Sequence, residues 1–159
     1  VASRHGTPQR RKRLFIIATK SGRQIHLDES KDEMPFGPCV DLSAGRWRDV
    51  AKAPPNVASR IASGRANCGS TFLSQHVSNH PGVPLDQPIR TITTKDQWCL
   101  VDGSRYRSLT PRELARGMGF PEGYSWPDGT TRADVIKGLG NAVCPPLAKK
   151  IVSAVVGAI

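Results

Sequence analysis

A run of polar side chains near the start of the chain reads, by itself, as a solvated charge run or as a place where chemistry could be done. In Gln9-Arg10-Arg11-Lys12-Arg13, Arg11 and Arg13 lie two apart at the entrance to an apolar run. In extended backbone they point the same way, and Lys12 points opposite. Arginine is always protonated and presents a rigid, planar set of donors, so two on one side form a fixed cationic site. Arg10 and Lys12 are expected to face solvent or phosphate. A second candidate lies near the other end. Gly140-Asn141 ahead of Pro145-Pro146 reads as a turn, exposing backbone groups and an amide able to bond a ligand. The cysteines are Cys39, Cys68, Cys99 and Cys144. None forms a Cys-x-x-Cys pair, which argues against structural zinc. They are expected to be small buried hydrophobes.

These side chains need elements to position them. Leu14 to Ala18 is a continuous apolar run with the length of a strand buried on both faces, as in a parallel sheet. Residues 20 to 38 turn polar and suggest irregular connection, and 39 to 50 could hold a short strand. Pro54-Pro55 opens a helix predicted through about Ser63, ended by Gly64 to Gly69. Phe72-Leu73 suggests a short strand, and Ser78 to Pro88 a loop. Two strands are predicted over Ile89 to Thr94 and Gln97 to Val101, with turns at Lys95-Asp96 and Asp102-Gly103. Thr110-Pro111-Arg112-Glu113 is a helix start with a capping box, and its helix runs to about Met118 and stops at Gly119. A short helix is predicted from Arg132 to Lys137, ended by Gly138. The last helix carries Leu147, Ile151, Val155 and Ile159 on one stripe, beside Ala148, Val152 and Val156. No βαβ unit is visible that would pair the Leu14 to Ala18 strand. Both ends therefore read as pieces of a larger α/β core, with their apolar faces exposed in the isolated chain, around a separate loop-rich, strand-containing middle.

The 159 residues amount to about one domain, with 38% hydrophobic content and a net charge of +10. That charge, spread along the chain, favours DNA or RNA over an acidic protein or a membrane surface. No apolar run reaches the roughly 20 residues that span a bilayer, and the first residues show no secretory leader. Neither a membrane partner nor disulfides are expected. Aromatic stacking motifs of an RNA-binding protein are missing.

Three segments, taken in order, resemble the DNA cytosine-5-methyltransferase family. Pro8 to Ala18 is similar to that family's Gln-x-Arg-x-Arg block and following strand. Leu109 to Arg116 with Met118-Gly119-Phe120-Pro121 resembles the block after the target-recognition region. Gly140-Asn141-Ala142-Val143-Cys144-Pro145-Pro146-Leu147-Ala148 resembles the closing Gly-Asn block. The resemblance implies an α/β fold: an incomplete piece of a Rossmann-like methyltransferase core, plus a small loop-rich, β-containing target-recognition domain. The implied division is 1-33 for the end strand of the core, 34-108 for recognition, 109-138 for a helical return and 139-159 for the closing turn and helix.

In that family's reaction the target cytosine leaves the helix, because the enzyme cannot reach its ring within the stack. A thiolate adds to ring carbon 6, and carbon 5 takes a methyl group from S-adenosylmethionine. A fixed cation steadies the charge that develops on the pyrimidine oxygen. The resemblance implies that Arg13 faces this oxygen, that Arg11 braces the site and that Gln9 holds the loop. It places Asn141, Ala142 and Val143 against the cofactor. Thr91 and Ile92 resemble the family's Thr-hydrophobic pair that supports the opened strand. Lys95 is expected on DNA, with Arg46, Arg48, Arg60 and Arg65 as generic phosphate contacts.

The family's Gly-rich cofactor loop, Pro-Cys nucleophile loop and Glu-Asn-Val block have no counterpart here. Gly37-Pro38-Cys39 lies in the recognition region and reads as an ordinary cysteine. The expectation is therefore a C-terminal half or subunit, inactive without an N-terminal half in cis or as a separate subunit, from a bacterial or phage-type cytoplasmic enzyme. Its partner is double-stranded DNA. A non-catalytic DNA-binding module derived from such an enzyme is the alternative.

Overall fold

The computed structural model describes residues 1–18, 20, 22, 24–77 and 80–157. Strand β1 (Gln9–Arg10) pairs in parallel with β5 (Ile89–Arg90), Gln9 opposite Ile89. The larger sheet is antiparallel, in the order β2-β7-β6-β3-β4. It comprises β2 (Arg48–Asp49), β3 (Thr71–Gln75), β4 (Val83–Pro84), β6 (Trp98–Asp102) and β7 (Arg105–Ser108). Helix α1 (Pro55–Cys68) leads into β3, and α2 (Pro111–Met118), α3 (Arg132–Asn141) and α4 (Pro145–Val156) follow the sheet.

The β6–β7 hairpin turns just after Asp102, with Asp102 opposite Arg105. Strand β3 holds Phe72 and Leu73, and both are fully buried. Phe72 packs with Ile61, Val101 and Tyr106 beneath α1. The main core runs from Ala2 through Phe36, Leu73, Trp98 and Leu114 to Leu147. Residues from all four expected segments thus share one apolar interior.

Helix α2 begins as its sequence dictates. The Thr110 hydroxyl accepts from the Glu113 amide, and the Glu113 carboxylate accepts from the Thr110 amide. The helix ends at Gly119, whose left-handed φ of 80° suits a residue without Cβ. Glu113 does more than cap. Its carboxylate takes both terminal nitrogens of Arg107 from β7, at 2.7 and 2.8 Å, and the Asp41 amide at 2.9 Å. Both side chains of this pair are essentially inaccessible. The Arg107 guanidinium also stacks on Trp47. Burial pushes the Glu113 carboxyl up, but Arg107 and the two backbone amides outweigh it, and its pKa ends below the ordinary value.

Four expectations are corrected. Leu14 to Ala18 forms no strand, and Leu14 and Ile16 are 85% and 88% exposed. No described strand of this chain lies beside the run to pair with it. Extended pairing falls instead at Gln9–Arg10. The strand expected over Ile89 to Thr94 shrinks to Ile89–Arg90 and belongs with β1, not with β6. Helix α1 continues through Gly64 to Cys68, and Gly64 is a packing glycine inside it, since the ring of Phe72 occupies the space a side chain would need. Helix α3 likewise runs past Gly138 to Asn141, so the Gly-Asn pair is the last turn of a helix. Gly140 there presses on the backbone of Thr93 and Thr94, leaving no room for a Cβ. Helix α4 packs through Leu147 and Ile151 and leaves Val152 and Val156 bare. Ile159, expected on its stripe, lies outside the described residues.

Candidate active-site cleft

Strand β1 carries Gln9 fully inside the protein. Its carboxamide donates to the Gly117 carbonyl at 3.1 Å and accepts from the Ile92 amide at 3.0 Å. It also touches the sulfurs of Met118 and Cys144. One side chain thus joins the end of α2, the loop after β5 and the approach to α4. Arg11 is 4% exposed and donates to the Ile92 carbonyl at 2.9 Å and the Gly140 carbonyl at 2.7 Å. Its Nε has no partner among the described residues. Burial, followed by the like charge of Arg13, lowers the Arg11 pKa. An arginine starts high enough to stay charged regardless.

Arg13 is exposed, with one nitrogen donating to the Lys12 carbonyl at 2.7 Å. It shares with Arg11 a cleft of about 230 Å³, whose other walls include Asn141, Ala142, Val143 and Cys144. The structure therefore brings together the two arginines and the Asn141 to Val143 segment, although about 130 residues separate them. Gln9 stands behind the cleft as a brace. Arg11 is the strut that makes the cleft, because it ties the end of α3 to the loop after β5.

Thr91, Ile92 and Lys95 do not line the cleft. Ile92 is 1% exposed, so its side chain serves the core while its backbone holds Gln9 and Arg11. Thr91 is half-buried and Lys95 exposed on the same loop. Cys39 is buried, and burial pushes its thiol up to about 12, with Arg116 opposing. Burial of this kind favours the neutral thiol over the thiolate. Burial raises Cys144 as well. Among the described residues no three His, Cys, Asp or Glu side chains gather to hold a metal. The Arg107–Glu113 pair escaped sequence reasoning. No strand was expected over Arg105–Ser108, so nothing in the sequence marked Arg107 as facing inward.

No curated protein sequence matches this chain. Among solved structures it is similar to the Entamoeba histolytica methyltransferase EhMeth, with a TM-score of 0.51 and 14% identity. The similarity covers 87% of this chain and 45% of that one, so the chain spans less than half the length of this relative. At that identity the likeness is one of fold. The family model for C-5 cytosine-specific DNA methylase matches residues 46–157. The match takes in the Leu109 to Pro121 and Gly140 to Ala148 segments and leaves out Gln9 to Arg13. With well over half of its length matched, the chain belongs to the C-5 cytosine-specific DNA methylase family.

Proposed function

We propose that this chain is the C-terminal, target-recognising portion of a DNA cytosine-5-methyltransferase, and that it completes the active site together with an N-terminal portion. The observation that carries this reading is the cleft itself. Two guanidinium groups meet the Asn141 to Val143 segment there, with the bare Leu14 in its wall, and Ile16, Val152 and Val156 are likewise left bare on the two end segments. Bare apolar side chains on both end segments fit an interface with another surface. In this reading residues 34-108 read the DNA, and the two ends of the chain join the catalytic core.

The cleft suits its two ligands in different parts. The arginine side repels a sulfonium and fits an oxygen that gains negative charge. Arg13, exposed and with donors to spare, faces the carbonyl oxygen of a flipped cytosine, and Arg11 fixes the wall behind it. The other side, with the Asn141 amide and the half-exposed Val143, offers neutral hydrogen bonding and apolar contact. Those residues would hold S-adenosylmethionine, which supplies the methyl group when bound. Gln9 keeps the loop after β5 in place. The nucleophilic thiolate belongs to the N-terminal portion, since Cys39 is held neutral.

Transfer of labelled methyl from S-adenosylmethionine to mixed-sequence DNA tests this. The chain is assayed alone and with a family member's N-terminal portion bearing the cofactor and Pro-Cys loops. Label is expected on cytosine only in the combination. Arg13→Ala lowers the rate there by roughly 10²–10³, the scale of one lost donor to a developing oxyanion. Full activity in the Arg13→Ala combination removes the role assigned to Arg13. Label from the chain alone removes the need for a partner.

A further inference from the structure

A second recess, of about 320 Å³, opens where the start of α1 approaches β7 and β2, with Arg46, Arg48, Arg107, Ser108, His76 and Arg132 among its walls. Arg46 and Arg48 are exposed and form no ion pair with a described residue. Arg107 is 1% exposed. Its terminal nitrogens are satisfied by Glu113 and the Asp41 and Ser108 carbonyls, while its Nε has no partner among the described residues. Arg132 is paired with Asp96 at 2.7 Å, while Arg46 and Arg48 have no such counter-charge among the described residues. Cations thus outnumber carboxylates around the recess, and a buried donor is left unused in its wall. Partial desolvation of the His76 ring, then the charge of Arg60, lower the His76 pKa against the opposing pull of Asp96. An electropositive recess with a small hydroxyl and spare guanidinium donors suits a compact anion with several acceptor oxygens.

One loop connects this recess to the cleft. Ile92 accepts from Arg11 at the cleft, Asp96 accepts from Arg132 at the recess, and Gln97 accepts from the backbone of His76. A polymer can occupy both places, whereas a free anion has no reason to. We propose that the recess seats a backbone phosphate of the DNA whose target base enters the cleft. The assignment rests on the DNA-methylase reading. It gathers Arg46 and Arg48, expected from sequence only as generic phosphate contacts, with Ser108 into one phosphate-positioning site. A phosphate contact fixes the register of the recognition module on the duplex and carries no sequence information.

Binding of unrelated duplexes across a salt series tests the proposal, using the whole chain and the Arg46→Ala/Arg48→Ala double variant. Both arginines are exposed, so the fold is retained, and far-ultraviolet circular dichroism verifies that. Expected is a similar fold-loss of affinity on every sequence, with the slope of log K against log salt shallower by about 1. Nuclear magnetic resonance of His76 supplies the second arm. The duplex raises its pKa in the wild-type chain but not in the double variant, and inorganic phosphate at the same phosphate concentration leaves it unmoved. An unchanged salt slope, or a His76 that does not respond to duplex, overturns the recess as a phosphate site and leaves the methylase reading standing. An equal response to inorganic phosphate overturns DNA as the source. Failure of the wild-type chain to bind any duplex overturns both the site and the reading beneath it.

Discussion

Residues 9–11 and residues 14–17 are neighbours in sequence and opposites in structure. The first three include two side chains at 0% and 4% exposure, bonded to positions 92, 117 and 140. The next four are more apolar, yet Leu14 and Ile16 are almost entirely exposed. Hydropathy alone predicts the reverse. A polar side chain can be buried where nearly all its donors and acceptors are met, and of these two side chains only the Arg11 Nε lacks a partner among the described residues. An apolar run in extended form also needs neighbouring strands for its backbone, and the described residues provide none. Burial here follows the satisfaction of backbone and polar groups more than hydropathy, and in the function proposed above the bare run meets another surface.

The contrast can be broken from its well-satisfied side. The largest effect is expected at Glu113. Glu113→Ala leaves the Arg107 guanidinium buried without its carboxylate, at a cost of about 3–5 kcal/mol, read as a lower urea midpoint. The same group predicts an acid limit. Its folded pKa lies below the unfolded one, so its contribution is full above the ordinary carboxylate range and is lost as pH falls through the folded value. Urea midpoints taken downward from neutral pH should fall in acid for the wild type, and fall less for Glu113→Gln.

A smaller loss is expected at Gly140. Gly140→Ala forces a methyl against the Thr93–Thr94 backbone, costing about 1–3 kcal/mol. It also shifts the carbonyl that holds Arg11, so partner-dependent methyl transfer should weaken more than stability does. The smallest effect sharpens the contrast from the bare side. Leu14→Ser/Ile16→Ser should change the stability of the isolated chain by no more than about 0.5 kcal/mol per site. The same double variant should fail to support methyl transfer with the N-terminal portion. A large destabilisation of the isolated chain would show that the run is already packed.

What could be read from sequence divides along the same line. Helix α2 was legible because Thr110, Pro111, Glu113 and Gly119 each act within a turn of the helix they define. The turn at Asp102-Gly103 was legible because it is local, but the strand that follows it, β7, carries no apolar alternation and was not read. The strand expected from Ile89 to Thr94 was not, because side chains some 80 residues away take its place in the ladder. Gln9 and Arg11 capture the amide and carbonyl of Ile92, and the pairing stops at Arg90. The end of α3 was misread for a related reason. Gly138 looks like a stop signal and Gly140-Asn141 like a turn, but the helix runs through both, and Gly140 lets the Thr93–Thr94 backbone approach. At the cleft, the order of the blocks pointed to Arg11, Arg13 and Asn141 to Val143, and all of them line it. Ile92 was expected on DNA and is in the core, since an apolar side chain in a strand-like segment carries no sign of which face is covered. The recess ringed by Arg46, Arg48 and Arg132 was invisible as a unit, because its members lie on separate elements.

Amide hydrogen exchange across residues 9–17 and at Ile92 tests the central claim most directly, measured with and without an N-terminal portion that restores methyl transfer. In the isolated chain the Ile92 amide, bonded to the buried Gln9 side chain, should exchange slowly. The amides of Leu14 to Ile17, which make no backbone hydrogen bond among the described residues, should exchange near the unprotected rate. The account predicts that Leu14 to Ile17 become protected when the N-terminal portion is added. Protection already present in the isolated chain, or none in the active combination, would contradict it.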